Sequence, residues 1–210
     1  SKMRASIENG EYEGWNDPRL PTIQGLQARG IQAKALRNFW IELGVTQKDI
    51  SVPLATLFSH NTKMIDDGAP RLCFVRNQIA VHLDGDIPEN VNLPVHPNHP
   101  NMGVRSISMN PPTVHIESDD ASGLYRLKEF ADVETNGVVG SIERSDKRPI
   151  IHWVSTTSSK EATLIIPNQE QMQHISGRVE ANDYPIGTIV QLERIGYAII
   201  TEDGYLLMHE

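Results

Sequence analysis

The texture of the sequence changes at Pro70. Beyond it the chain consists of short apolar runs, rich in Val and Ile and separated by Gly, Pro, Asn and Asp. Such runs predict short β-strands. Because no helical pattern lies between them, they favour antiparallel barrels or sandwiches over a parallel sheet. The predicted strands are 71–76, 79–83, 113–116, 137–144, 149–155, 162–166, 188–194, 197–201 and 205–208.

The part before Pro70 has a helical pattern. Apolar residues recur at positions i, i+3, i+4 and i+7 over 32–43, which predicts an amphipathic helix. A second such pattern, over 53–68, begins beside a proline and ends near Asp67 and Gly68. The first thirty residues contain many Gly and Pro residues, and we interpret them as a structured loop.

Two features punctuate the β-rich part. The segment 88–112 contains six prolines in 25 residues, which predicts an ordered excursion or a crossing between barrel halves. Asp203 and Gly204 separate the last two predicted strands. This pair predicts a hairpin with a type I′ turn, in which both residues have positive φ.

The charge is unevenly distributed. The chain has 27 acidic and 19 basic residues, a net charge of −8. Residues 1–78 carry ten basic and eight acidic residues, whereas residues 79–210 carry nine and nineteen. A bound polyanion would therefore depend on local patches and on the basic first third.

The remaining composition favours a soluble cytoplasmic protein. No apolar run approaches the roughly 18 residues of a membrane span, and no secretory signal is visible. The single cysteine, Cys73, excludes an internal disulfide and lies in an apolar setting, which predicts a buried, inert thiol in a reducing compartment.

No catalytic motif stands out. The sequence contains no Gly-x-Ser-x-Gly elbow, phosphate-binding loop or dinucleotide fingerprint. His96 and His99 form the densest histidine pair, but a third ligand is not evident, so we predict no metal site. Nothing in the chain is expected to hold ATP by itself.

Several ordered segments nevertheless carry a resemblance. Gly-Trp-Asn-Asp-Pro-Arg-Leu-Pro-Thr at 14–22, followed by Gly-Leu-Gln-Ala-Arg-Gly-Ile at 25–31, resembles the segment just past the second signature loop of class I glutamyl- and glutaminyl-tRNA synthetases. Four further matches follow in the same order: 68–71, 94–105, 151–155 and 191–197.

The resemblance implies a mainly β fold with an N-terminal helical subdomain. A helical connector, 1–68, would precede an anticodon-binding region, 69–210, made of a proximal and a distal antiparallel β-barrel. The Rossmann-type catalytic domain would lie upstream, so this chain alone is expected to be non-catalytic. Lys2 matches the lysine of the second signature, which helps to bind ATP phosphates. Alternatively, Ser1 and Lys2 are unrelated to that signature.

The implied function belongs to a glutamate–tRNA ligase, which attaches glutamate to tRNA(Glu) through a glutamyl adenylate. The full enzyme would use ATP and magnesium and act in the cytoplasm, whereas this chain would bind tRNA(Glu), neither DNA nor membrane, as a monomer. Barrels shortened at 118–128 are more similar to the archaeal type of glutamyl enzyme than to bacterial glutaminyl enzymes. A glutamine–tRNA ligase fragment stays an alternative, as does a β-rich protein-interaction module that retains the fold.

The resemblance also places six side chains at the anticodon. Four of them have an ordinary alternative: a strand-start charge for Arg71, a solvent-facing amide for Gln191, a turn cap for Asn98 and the partner of an acid for Arg194. The implied contacts are the central base for Arg71 and Gln191, the third base for Asn98 and Arg194, and the first base with its flanking phosphates for Arg126 and Lys128.

Three basic residues of the helical part are assigned to the tRNA backbone. Arg29, Lys34 and Arg37 would touch the inside of the tRNA L, and a solvated helix face is the equal alternative. The arginine cluster typical of the family is thinned at 27–29, which weakens one expected backbone contact.

Overall fold

A computed structural model describes residues 2–44, 53–168 and 171–210. Within these ranges the protein is mainly β, with four α-helices near its start. Helices α3 and α4 match the two predicted helices. The helices are α1 Lys2–Glu8, α2 Ile23–Ala28, α3 Ala33–Leu43 and α4 Leu54–Ile65.

The prediction of a loop over the first thirty residues was wrong at α1 and α2. These helices have seven and six residues, too few to show a full apolar period. A side chain supplies the start signal of α2, because the Thr22 hydroxyl oxygen accepts a hydrogen bond from the Gly25 N–H at 2.8 Å. None of the described helices is long and apolar enough to cross a membrane.

The strands are short apart from two of nine residues. In chain order they are β1 Arg71–Leu72, β2 Phe74–Arg76, β3 Gln78–His82, β4 Asn90–Pro94, β5 Val104–Ser108, β6 Thr113–Glu117, β7 Tyr125–Leu127, β8 Asp132–Val133, β9 Val139–Ser141, β10 Ile150–Ile151, β11 Val154–Ser155, β12 Ser159–Pro167, β13 Met172–Glu180, β14 Ile189–Leu192, β15 Gly196–Ile200 and β16 Tyr205–His209.

Seven strands form one nearly closed sheet in the order β1-β14-β15-β16-β12-β13-β2. Its two end strands, β1 and β2, are separated in the chain by Cys73 alone, so the sheet curls back on itself. Most pairs are antiparallel, but β1–β14 and β12–β16 are parallel, which the prediction of antiparallel barrels did not include. The interior holds Leu72, Phe74, Leu164, Val179, Val190, Leu192, Ala198 and Leu207.

The other nine strands form three smaller sheets around a second core. Their orders are β10-β7-β8-β9, β11-β6-β3 and β4-β5. The core they share includes Leu83, Ile107, Val114, Ile116, Leu127, Phe130 and Trp153. The described strands thus give one barrel-like sheet and a set of smaller sheets, where two barrels were predicted.

Several predicted strand boundaries were wrong. The proline-rich segment contains β4 and β5, which pair as an antiparallel ribbon, because its prolines lie mostly outside the two strands. Strand β13 was missed because its exposed positions are polar and its buried ones include Gly177 and Glu180. The predicted strand 137–144 is shortened to β9, and 149–155 is split into β10 and β11.

The last hairpin was predicted correctly, but its turn type was not. Strands β15 and β16 are antiparallel neighbours, and the Thr201 N–H donates to the Gly204 carbonyl at 2.8 Å. Positive φ is confined to Gly204, at 143°, so the turn is not type I′. A Cβ at this glycine would lie 2.3 Å from the Thr163 carbonyl oxygen, which excludes larger residues.

The helices are fastened to the barrel-like sheet. Helices α3 and α4 share a small core of Ile31, Phe39 and Leu57. Asn61 of α4 accepts from the Gln32 N–H at 2.8 Å and contacts His209 Nε2 of β16 at 3.2 Å. The end of α4 therefore has a fixed position against β15 and β16.

Four ion pairs join the barrel-like sheet to the smaller sheets. In each pair, one residue belongs to the barrel-like sheet with its turns and the other to the part built from the smaller sheets. Cys73, Val75 and Val154 form a small apolar cluster between the same two parts. Burial raises the pKa of the Cys73 thiol well above its ordinary value, which confirms a buried thiol. The pairs are Arg76–Glu117 at 2.8 Å, Lys128–Glu193 at 2.7 Å, Arg194–Asp120 at 2.5 Å and Arg105–Glu180.

Candidate nucleic-acid interface

Three side chains form a row on the outer face of the barrel-like sheet. Arg71 of β1 lies opposite Gln191 of β14 in parallel register, and Gln191 lies opposite Tyr197 of β15 in antiparallel register. Residues opposite each other in paired strands point to the same face. Since the adjacent Leu72 and Leu192 point into the core, the row of Arg71, Gln191 and Tyr197 lies on the outer face of the sheet, where Arg71 and Tyr197 are buried and Gln191 is half-buried.

The Arg71 guanidinium is held in place by two acceptors. Its Nη2 donates to Asp66 Oδ1 at 2.7 Å, and its Nη1 donates to the Ala69 carbonyl at 3.1 Å. The side chain is only 8% exposed. A guanidinium has five N–H donors in a planar fork, and Arg71 also interacts with the Tyr197 hydroxyl, so these contacts use only part of its donors. The fork is therefore fixed in orientation but not exhausted.

Asp66 also holds Tyr197. The Tyr197 hydroxyl donates to the same Asp66 Oδ1 at 2.5 Å. Partial burial would raise the pKa of Asp66, but hydrogen bonds from Tyr197 and Arg71 outweigh it and lower that pKa. Burial, together with the hydrogen bond to Asp66, raises the pKa of Tyr197 to about 12. At neutral pH the carboxylate is thus charged and the phenol is a donor.

The loop 95–103 is anchored beside this row. The Arg71 N–H donates to the Val95 carbonyl at 2.8 Å. His96 Nε2 donates to the Asp66 carbonyl at 3.0 Å, and its Nδ1 accepts from the Asn98 N–H at 3.1 Å. Since a carbonyl can only accept, these two bonds are consistent with a neutral imidazole. The backbone of the exposed Asn98 is thereby linked through His96 to Asp66, the residue that also binds Arg71.

Arg194 and Lys128 lie further along, where β14 ends. Arg194 pairs with Asp120 and also donates to His152 Nδ1 at 3.2 Å. Lys128 Nζ pairs with Glu193, the residue that directly follows β14, at 2.7 Å. Both cations thus have carboxylate partners, and the alternative for Arg194, a pair with an acid, is the arrangement observed.

Arg126 is committed to internal acceptors. It pairs with Asp132 at 2.7 Å and donates to the carbonyls of Phe130 and Ile142. Its contact with the first anticodon base stays a prediction, and that contact would require some of these bonds to break.

The helical cations differ in their freedom. Arg29 Nε donates to the Met208 carbonyl at 2.6 Å, its guanidinium lies over the Phe58 ring, and burial lowers its pKa. Lys34 and Arg37 are exposed on α3. Lys2 is the first residue of α1, and its side chain and Ser1 lie outside the described part of the chain.

Among the described residues, no group of three or more His, Cys, Asp or Glu side chains is arranged to hold a metal ion. His96 and His99 have ring centroids 4.5 Å apart, and His99 Nε2 lies 3.1 Å from Asp67 Oδ1. The structure therefore uses both histidines to tie the loop 95–103 to the 3₁₀ turn Asp66–Gly68.

Sequence reasoning missed Asp66, Tyr197 and His96. Asp66 and Arg71 are five residues apart around a proline, a spacing that no helix or strand pattern makes adjacent. His96 was considered as a metal ligand and as part of a matching segment, and Tyr197 only as part of a matching segment. The available signal is that Asp66 lies two residues before the matching segment 68–71 and that His96 lies within the matching segment 94–105.

Comparison with known proteins identifies the family of the chain. Two family models described as tRNA synthetases class I (E and Q), anti-codon binding domain, match residues 69–152 and 150–201. The chain belongs to this family. In this class I synthetase chain Arg71 and Asn98 lie in the first matched range and Gln191 in the second, so the row is shared between them.

The curated relatives are longer proteins. The chain is 35% identical to a glutamate–tRNA ligase of Pyrococcus furiosus over 95% of this chain and 38% of the relative. Glutamate–tRNA ligases of Methanosarcina mazei and Thermococcus kodakarensis are 34% and 32% identical over 95% and 96% of the chain, and 37% and 38% of the relatives. The chain thus spans less than two fifths of the length of the relatives it matches.

Proposed function

We propose that this class I synthetase chain is the anticodon-binding part of a glutamate–tRNA ligase and binds tRNA(Glu) as a cytoplasmic monomer. Residues 1–68 act as the helical connector and residues 69–210 as a proximal and a distal barrel. Activation of glutamate with ATP and magnesium takes place in the remainder of the ligase. One observation carries this proposal. Arg71 and Gln191 lie side by side on the outer face of the barrel-like sheet, and Asp66, which binds Arg71, also binds the loop of Asn98 through His96.

The geometry explains how an acidic chain can read RNA. Unpaired loop bases expose their Watson–Crick edges, and a few fixed donors and acceptors are enough to distinguish them. Arg71 has N–H groups to spare, and the Gln191 amide both donates and accepts. No hydrogen bond from a described residue to that amide is found in the structure. Together the two side chains offer a base edge a directional set of partners without a broad basic field.

A second candidate, a protein-interaction module, is favoured by one feature of the charges. Arg71, Arg126, Lys128 and Arg194 each pair with a carboxylate. Such pairing lowers the attraction for phosphates. The comparison of cognate and scrambled RNA loops described next separates the two candidates.

We expect the chain to bind the anticodon stem-loop of tRNA(Glu) more tightly than a loop of scrambled sequence and equal length. Its log affinity should fall as log salt rises, with a slope of about −2 to −3 if three or four phosphates are contacted. Fluorescence anisotropy with both loops at several salt concentrations measures this. Equal affinity for the two loops would contradict anticodon reading and leave the protein-interaction module.

A further inference from the structure

Asp66 occupies a junction of four elements. Its N–H donates to the Thr62 carbonyl at the end of α4, and it begins the 3₁₀ turn that leads to Arg71. Its carboxylate contacts Arg71 of β1 and Tyr197 of β15, and its carbonyl contacts His96 of the loop 95–103. One residue therefore joins the end of a helix, two strands and a loop.

We propose that Asp66 is a positioning residue for base recognition: it orients the Arg71 fork and the Asn98 loop relative to Gln191 and neutralises the Arg71 charge. This inference rests on the proposed function and deepens it. It predicts that the Asp66 carboxylate determines the preference among bases and not the strength of RNA binding.

Asp66 restricts the rotamers that the Arg71 side chain can adopt. An arginine side chain has many rotamers, and a fork that samples several of them contacts several bases equally well. Two acceptors, Asp66 Oδ1 and the Ala69 carbonyl, select one orientation. Tyr197 fixes Asp66 in turn, because its ring packs against Ile65 and Met208 while its hydroxyl donates to Oδ1. Asp66 thus holds Arg71 at one end of the row, and Tyr197 at the other end holds Asp66.

Asp66 also weakens the attraction of Arg71 for phosphate groups. An unpaired arginine attracts any phosphate group, whatever the base attached to it. A carboxylate oxygen 2.7 Å from Nη2 cancels much of that attraction and leaves directional hydrogen bonds as the main contribution of Arg71. Asp66 thus lowers binding to wrong sequences more than binding to the right one.

The backbone of Asp66 also binds the loop 95–103. Its carbonyl accepts from His96 Nε2, and His96 Nδ1 accepts from the Asn98 N–H. A shift of the turn at Asp66 would therefore move Asn98 as well as Arg71. The positions predicted to read the central and the third base are coupled through this residue.

An asparagine at this position separates positioning from folding. Asp66→Asn keeps the size, an oxygen acceptor and the backbone bonds to Thr62 and His96. It removes the charge that pairs with Arg71. The Asp66 side chain is 31% exposed, so the amide can remain solvated, and we expect the variant to fold.

The test measures affinities of the chain for tRNA(Glu) anticodon stem-loops that carry each of the four central bases. We expect Asp66→Asn to bind the non-cognate loops several-fold more tightly and to lose at least five-fold of its preference for the cognate loop. Its salt slope should steepen by about 0.7, the value of one added phosphate contact to a single strand. Tyr197→Phe, which loosens Asp66 without a change in charge, should lose part of the preference at an unchanged slope. Asp203→Asn, in the exposed turn at the far end of β15, is the charge-matched control and should keep the preference.

Three results would overturn the inference. Asp66→Asn could keep the full preference, in which case anticodon reading stands and positioning by Asp66 does not. It could weaken cognate and non-cognate loops equally and lower the unfolding midpoint, which is the mark of a purely structural residue. Asp203→Asn could change the preference as much, which would assign the effect to net charge. A chain without substitutions that shows no preference at all would remove the proposed function itself, and the inference with it.

Discussion

Replacement of Arg71 by alanine is expected to weaken binding of the cognate anticodon loop by about 1 to 3 kcal/mol and to flatten the preference at the central base. The reason is that the planar fork, oriented by Asp66 and the Ala69 carbonyl, supplies donors that alanine lacks. Asp66 then keeps Tyr197 as its only described side-chain donor, and its uncompensated charge repels the RNA further.

The measurement is binding of stem-loops with each of the four central bases, by the unsubstituted chain and by two variants. Arg76→Ala is the matched control, because Arg76 lies on β2, pairs with Glu117 and is 38% exposed. It removes the same charge and should lower affinity for all four loops alike. An Arg71→Ala variant with the same uniform loss as Arg76→Ala would show that Arg71 contributes charge and not base recognition.

Asp132→Asn is expected to destabilise the four-stranded sheet by about 3 kcal/mol at pH 7, because it leaves a largely buried guanidinium with a weaker partner. Asp132 is fully buried and accepts from Arg126 at 2.7 Å and from the Ser145 N–H and hydroxyl at 2.7 and 2.6 Å. Burial alone would raise the pKa of Asp132, but the bonds from Ser145 and Arg126 outweigh it and lower that pKa from 3.8 to about 2.

The sign of the pH dependence follows from that direction. A carboxyl whose pKa is lower in the folded state stabilises the fold above its unfolded pKa, near 4. This contribution, about 2 kcal/mol, is lost as the pH falls from about 4 to about 2. Urea unfolding at pH 7 and over that acidic range measures it, and Asp132→Asn should be the less pH-sensitive protein. Asp203→Asn, in the exposed turn after β15, is the control and should change little. An Asp132→Asn variant with the pH dependence of the unsubstituted chain would contradict this account.

The fold was predictable where local pattern and tertiary environment agree. Helices α3 and α4 are long enough to show an apolar period, and β14 to β16 are short, largely apolar runs, of which the last two are separated by a clear turn. Strand β13 was not predictable from apolar content, because its exposed positions are polar and its buried positions include Gly177 and Glu180. The prediction of a type I′ turn was wrong because the close approach of Gly204 to Thr163 determines the backbone conformation at 201–204.

The candidate site shows the same division. The family resemblance pointed to Arg71, Gln191 and Asn98, but the alignment of Arg71 with Gln191 depends on a parallel register between residues 120 positions apart. Nothing in the local sequence fixes that register. The partners of the cations were equally hidden: Asp132 meets Arg126 because β7 and β8 pair, and Glu193 meets Lys128 because two sheets pack together. Contacts of this kind are products of topology.

A double-mutant cycle tests most directly whether Arg71 and Gln191 read one base together. Affinities of the chain, Arg71→Ala, Gln191→Ala and the double variant would be measured for the cognate loop and for one in which the central base is replaced by an abasic site. The account predicts strongly non-additive losses with the cognate loop and, with the abasic loop, only the small charge effect of Arg71→Ala, with no coupling between the two substitutions. Additive losses that persist when the base is absent would contradict it.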